Sequence, residues 1–145
     1  MANNSAVPNI TSTYVVLDTE GKAMPIAVTE TFWQDLASKS GDFAGRRLVA
    51  CFNFDKDWET WEMHPHGDEV VCLLTGDIAV VLEEDGARRT VRLNQPQAFV
   101  IVPRSTWHTA KVRSPSTVLF VTPDQGTETR PVEEEHAQRG VQPDA

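Results

Sequence analysis

From position 46 onward, short segments of strand-forming residues alternate with turn-forming residues. Eight such segments follow one another, at 46–54, 58–64, 69–74, 77–83, 88–93, 98–102, 107–112 and 117–122. The clearest hairpin turn between them is Glu84-Asp85-Gly86. Short strands at this even spacing are typical of antiparallel barrels and double-sheet jelly rolls. The sequence therefore predicts an all-β fold, an antiparallel jelly-roll β-barrel.

The segment before this pattern is expected to lie outside the barrel. Its first residues are polar and indicate an extended arm, followed by predicted strands at 14–17 and 25–28. A helix is predicted over 29–39, with Thr29 as its N-cap and Gly41 just beyond its end. The apolar stripe of this helix is short, so we expect it to cap a sheet.

The segment after the pattern is polar and rich in charge. It contains an acidic run at 133–135, most simply a solvated face, and could form a short helix over 132–138. We therefore expect a single domain with three parts: an N-terminal arm, strand and helix at 1–45, a barrel core at 46–122, and a C-terminal tail at 123–145.

Charge and composition narrow the classes of partner. The 145 residues suffice for one domain with a sizeable core, and they carry a net charge of −8. Nucleic acids and anionic membranes would repel such a chain, so we expect neither as a partner. No stretch approaches the roughly 18 apolar residues of a membrane span, and the N-terminus lacks the pattern of a signal peptide. We expect a cytoplasmic protein in which Cys51 and Cys72 are free, buried thiols.

One hairpin carries residues suited to metal chemistry. Glu62 and His64 are two positions apart, so in a strand they lie on the same face. Residues 65–68 predict a tight turn, and Glu69 opens the next apolar run. A hairpin that brings a carboxylate beside an imidazole on one face can hold a metal.

The chain resembles the cupins, small jelly-roll barrels with two metal-binding motifs. The first motif is usually His-x-His, about four residues, Glu, six more residues and Gly. The interval from Glu69 to Gly76 matches its end, and counting back places His64 on the second histidine position and Glu62 on the first. The second motif, Pro-x-Gly-x-x-His, resembles residues 103–108, with Ser105 in place of Gly.

The resemblance implies a metal site formed by Glu62, His64, Glu69 and His108. Mn²⁺, Fe²⁺, Ni²⁺ and Zn²⁺ all suit such a set of ligands. Glu62 replaces the usual histidine, and a second carboxylate should weaken the Lewis acidity of the ion. Two alternatives stay open: His66 as a ligand in a competing register, and a structural ion pair between Glu62 and Arg104.

The expected site adjoins an apolar cavity lined by Trp58 and by Phe52 or Phe54, which suits a small organic molecule bearing an oxygen. We expect a metal-dependent enzyme, as a dioxygenase, isomerase, decarboxylase or lyase, with Glu62 as a metal ligand or general base. The alternatives are a non-catalytic binding or sensing module and a metal-free cupin of the sugar-epimerase type. We also expect a homodimer, formed by pairing of the N-terminal strand with an edge of a second subunit.

Overall fold

The computed structural model describes residues 7–39, 45–123 and 125–132. Within these ranges the chain forms one helix, α1 (Phe32–Lys39), and nine strands: β1 (Thr13–Leu17), β2 (Ala23–Ala27), β3 (Arg47–Phe54), β4 (Thr60–Met63), β5 (Glu69–Glu84), β6 (Ala87–Leu93), β7 (Phe99–Val102), β8 (His108–Pro123) and β9 (Glu128–Pro131). The prediction of an all-β fold is confirmed. The acidic run at 133–135, and all of the predicted helix at 132–138 except Val132, lie outside the described residues.

Two long strands, β5 and β8, connect the two halves of the folded sheet, because each of them runs through both. In one half, the order of neighbouring strands is β2-β1-β3-β8-β5-β7. In the other half, the order is β9-β4-β8-β5-β6. All these pairings are antiparallel, and the register between β5 and β8 shifts between Leu73 and Ile78. The sheet turns there from one half into the other, which produces a jelly roll.

Apolar side chains from the inner faces fill the space between the two halves. The buried cluster includes Leu73, Leu82 and Val118, each fully buried, and Phe120. A second cluster beside it joins α1 to β1 and β3, where Phe32 packs edge-on against Tyr14 with ring centroids 5.1 Å apart. The helix therefore lies against the sheet beside the main core, as the sequence predicted.

Several predicted boundaries differ from the structure: α1 begins at Phe32, three residues after its predicted start, and larger differences lie in the barrel and the tail. The breaks expected at 75–76 and 113–116 fall inside β5 and β8, because Gly76 and its neighbours form an irregularity within a continuous strand pair. Gly76 has φ 114°, and a Cβ there would overlap Ser116. The expected tail contributes β9, which pairs with β4. Among the described residues, no helix has the length and apolar character that a membrane crossing requires.

The contact expected for a dimer does not fit the observed pairing of β1. β1, the N-terminal strand, has hydrogen-bonded neighbours on both sides, β2 and β3. Its edges are therefore occupied within the subunit, and it cannot pair with the edge of a second one. The dimer itself stays a prediction.

Candidate metal centre

Three strands bring the predicted ligands to one end of the barrel interior. Glu62 in β4 lies directly opposite His108, the first residue of β8, so both side chains leave the sheet on the same face. His64 follows the end of β4, and Glu69 is the first residue of β5. The turn between β4 and β5 thus carries two of the four residues into the same space.

Two hydrogen bonds hold the two motif-bearing turns together. The N–H of Ser105 donates to the carbonyl oxygen of His64 at 2.9 Å. The N–H of Arg104 donates to Oδ1 of Asp68 at 2.8 Å. Ser105 has φ 64°, in the left-handed region where the resembled motif has glycine. The relative positions of the turns are therefore fixed at the cost of some backbone strain.

The polar atoms of the four residues converge closely. Oε1 of Glu69 lies 2.9 Å from Nε2 of His108 and 3.4 Å from Nε2 of His64. Oε1 of Glu62 lies 3.8 Å from Nε2 of His64, and one potential ligand atom from each of Glu62, His64 and His108 lies within 4.8 Å of the others. His64, Glu69 and His108 are at most 3% exposed, whereas the side chain of Glu62 is 34% exposed.

Three threonines contact the atoms of this cluster that point away from its centre. The carbonyl oxygen of Thr106 lies 3.1 Å from Nδ1 of His108, which must donate because a carbonyl can only accept. Oγ1 of Thr127 lies 2.9 Å from Nδ1 of His64. Oγ1 of Thr122 donates to Oε2 of Glu69 at 2.6 Å. These contacts leave Nε2 of both imidazoles and Oε1 of Glu69 directed toward one another.

The inward-facing atoms fit a bound cation. Nε2 of His64, Nε2 of His108 and Oε1 of Glu69 are buried and have no hydrogen-bond partner among the described residues. In a neutral His108 that donates through Nδ1, Nε2 carries a lone pair, so it faces the Glu69 carboxylate as acceptor against acceptor. A proton or a metal ion between them resolves this conflict. Atoms about 2.1 Å from one ion lie about 3.0–3.4 Å apart in octahedral or tetrahedral geometry, close to the separations found here.

The buried charges shift the acidities of these groups. Burial acts to raise the pKa of Glu69, but His108 and His64 outweigh it and lower that pKa to about 2. Burial acts to lower the pKa of His108, yet the Glu69 carboxylate raises it above its usual value. Burial and the negative charge of Glu69 raise the pKa of Glu62. Glu69 is thus the permanent negative charge of the cluster, and Glu62 is the carboxyl that gains a proton more readily.

A cavity of about 860 Å³ opens beside the cluster. Glu62, His64 and Glu69 contribute to its wall at one end, and Trp33 and Leu36 of α1 contribute at the other. Between them, four aromatic side chains line the cavity, Phe52, Phe54, Trp58 and Phe120. The predicted lining by Trp58 and by Phe52 or Phe54 is confirmed, and both phenylalanines contribute. Trp61 and Trp107 instead belong to a separate cluster around Val81 and Val132.

The remaining candidates lie outside the cluster. His66 is solvent-exposed in the turn between β4 and β5, beside Gly126. Arg104 is exposed, and no ion pair joins it to Glu62 in the described part of the chain. Sequence reasoning missed Thr122 and Thr127, because each of them contacts a cluster residue that lies far away in the sequence.

Comparison with known proteins rests on structure. No protein-family model and no curated protein sequence matches the chain. Among solved structures, a cupin-2 domain protein from Shewanella frigidimarina has 13% identity and a TM-score of 0.46, and the match covers 59% of this chain and 74% of that one. A cupin superfamily protein from Desulfitobacterium hafniense has 15% identity and a TM-score of 0.46, with coverage of 80% and 82%.

Oxalate decarboxylase of Bacillus subtilis, which has Mn(II) centres, has 18% identity and a TM-score of 0.50. That match covers 63% of this chain and 25% of the decarboxylase. Identities this low concern the fold alone. The similarity to oxalate decarboxylase, together with the jelly-roll topology, shows that this chain has the cupin fold.

Proposed function

We propose that this protein binds one divalent metal ion through His64, Glu69 and His108, with Glu62 beside them as a fourth ligand. The observation that carries the proposal is the convergence of three buried polar atoms without hydrogen-bond partners, Nε2 of His64, Nε2 of His108 and Oε1 of Glu69. Such atoms destabilise a fold unless something binds them. Imidazole and carboxylate together suit Mn²⁺, Fe²⁺, Ni²⁺ or Zn²⁺.

We further propose that the site is that of an enzyme acting on a small organic molecule that bears an oxygen. A bound ion would supply Lewis acidity toward such an oxygen. Glu62 is the most exposed of the four residues and lines the cavity, so its carboxylate can reach a substrate and serve as general base. Dioxygenase, isomerase, decarboxylase and lyase reactions are the classes proposed.

The aromatic wall favours a planar, unsaturated substrate within this class. Phe54, Trp58 and Phe120 have ring centroids about 6 Å apart, and the ring of Trp58 lies 6.1 Å from that of His108. Aromatic rings pack well against planar ligands. Phenols and enols are therefore preferred over aliphatic acids and diols as candidates.

Metal content tests the first step of the proposal. We expect about one divalent ion per chain in full-length protein purified without a chelator or a histidine tag, measured by elemental analysis. His108→Ala should weaken metal binding by more than about 100-fold, because it removes a ligand buried in the cluster. A wild-type content well below one ion per chain would refute the metal site.

Turnover tests the second step. Phenols, enols, acids and diols would be screened with the metal-loaded protein, with and without oxygen, and product formation followed by mass spectrometry. We expect activity that a chelator abolishes and one particular divalent ion restores. Equal ligand binding by metal-free and metal-loaded protein, without turnover by any ion, would instead favour a non-catalytic binding module.

A further inference from the structure

The cavity beside the metal cluster carries an excess of negative charge where it meets solvent. The loop between β3 and β4 and the residue before β4 form this part of the wall. Four solvent-exposed charged residues contribute to it, Asp55, Lys56, Asp57 and Glu59. Three carboxylates therefore lie beside one ammonium group. We call these four residues the acidic rim.

A bound ion would not cancel this excess. Glu62 and Glu69 also line the cavity, and their two carboxylates already match the charge of a divalent ion. Of the described residues that line the cavity, none is an arginine. Arginine is the side chain best suited to carboxylates and phosphates, because it can donate two parallel hydrogen bonds to them. The wall is therefore poorly suited to an anionic group on a substrate.

Hydrogen bonds fix the acidic rim relative to the metal cluster. Oδ1 of Asp57 accepts a hydrogen bond from the N–H of Val112 at 2.7 Å. The N–H of Trp58 donates to the carbonyl oxygen of Ala110 at 3.0 Å. Both partners belong to β8, the strand that begins with His108. One bound molecule can therefore contact the cluster and the rim at the same time.

Aromatic side chains connect the cluster to the rim. The ring of Trp58 lies 6.1 Å from that of His108 and 5.7 Å from that of Phe54, measured between centroids. Phe54 directly precedes the acidic rim in the sequence. The faces of such rings attract cations. The aromatic wall and the rim therefore favour the same sign of charge on a ligand.

We propose that the cavity selects planar, oxygen-bearing molecules that carry a cationic group at the end opposite the oxygen. The oxygen lies toward the metal cluster and the cationic group toward the acidic rim. This inference rests on the proposed function for the position of the oxygen, where the unpartnered Nε2 of His64 and Oε1 of Glu69 indicate a bound ion. It adds the charge of the substrate: phenols and enols with an ammonium group are favoured, and carboxylates and phosphates are disfavoured.

Three phenols of similar size and different charge test this proposal. Tyramine is a cation, 4-hydroxyphenethyl alcohol is neutral and 4-hydroxyphenylacetate is an anion. Their dissociation constants would be measured by calorimetry on the full-length protein, metal-loaded and metal-free, in about 20 mM salt. We expect tyramine to bind at least about tenfold more tightly than the carboxylate, with the alcohol between them. About 0.5 M salt should narrow the difference, because the rim is exposed.

Variants of the rim should change this preference in both directions. Asp55→Asn combined with Glu59→Gln removes two negative charges and should reduce the ratio of the two dissociation constants at least about threefold. Lys56→Gln removes the positive charge and should increase the ratio. Glu20→Gln combined with Asp85→Asn is the matched control, because it removes the same charge from exposed turns outside the cavity and should leave the ratio unchanged.

Metal content, measured on the same samples, reports separately on the proposed metal site. A metal-loaded protein that binds the carboxylate as tightly as tyramine, or binds none of the three compounds, would overturn the charge preference and leave the metal site standing. Equal effects of the rim and control variants would overturn it too. Circular dichroism would verify each fold, and Lys56→Gln remains as a test where the double rim variant fails to fold.

Discussion

The two ends of the barrel interior are built from the same two strands but hold very different side chains. In β5, Leu73 and Leu82 are fully buried among apolar neighbours, whereas Glu69 is equally buried among imidazoles. In β8, His108 lies opposite Leu82, so the boundary between the two ends falls within a single residue pair. Burial stabilises the fold at the apolar end and opposes it at the polar end unless a proton or a metal ion joins the facing atoms. The proposed metal site would explain why the polar end differs from the apolar end.

Leu73→Ala should have the largest effect on stability. It removes a fully buried side chain from the apolar end and should lower the free energy of unfolding by about 2–5 kcal/mol. Metal content per folded chain should stay at the wild-type value, because Leu73 does not belong to the cluster of ligands. Urea denaturation and elemental analysis would measure the two quantities. A proportional loss of metal in folded protein would show that the two ends are not independent.

Glu62→Ala should affect the polar end alone. Loss of this carboxylate should weaken metal binding by about an order of magnitude or more. His66→Ala is the matched control. It removes another potential ligand, two residues after His64, whose side chain is exposed and lies outside the cluster. Metal titration of both variants would compare them. The opposite ranking would transfer the fourth ligand position from Glu62 to His66.

Ser105→Gly should have the smallest effect and the opposite sign. Ser105, at the polar end, has φ 64°, whereas the positive φ in the bend of β5 belongs to Gly76, which adopts it without strain. Glycine at 105 should relieve the strain and raise the free energy of unfolding by less than about 1 kcal/mol, after the larger entropy of the unfolded chain is subtracted.

Asp85→Gly serves as the control for this change. Asp85 also has a positive φ, of 53°, but aspartate tolerates the left-handed region better than most residues, so its replacement should gain less. The midpoints of urea denaturation would rank the two variants. A Ser105→Gly protein less stable than the wild type would contradict the assignment of strain to this turn.

Much of the barrel could be predicted from local patterns, because turn-forming residues separate most of its strands. Glycine was the main source of error: Gly76 indicated a turn, yet a glycine inside a strand also marks a bulge, and only the pairing of β5 with β8 distinguishes the two. β9 was missed for a related reason. Its four residues are too few to carry a clear alternation, and they become a strand by pairing with β4.

The predicted ligands are brought together, but their orientation could not be predicted. Glu62 and His64 could be placed on one face, and His64 at the right distance from Glu69, from local strand geometry alone. The hydrogen bond between His64 and Thr127 joins residues 63 positions apart, and no local pattern in a single sequence encodes it. The contact from Thr122 to Glu69 spans 53 positions and was missed for the same reason.

The pairing of β3 with β8 also determines when the barrel can form during synthesis. Arg47 pairs with Pro123, so this strand pair is complete only after residue 123 has left the ribosome. The hydrogen bond between Thr127 and His64 also requires a residue beyond 123. Until then the apolar strands have few native partners, and their closure over long stretches of chain is slow. Both the closure of the barrel and the contact that orients His64 therefore depend on residues from the last part of the described chain.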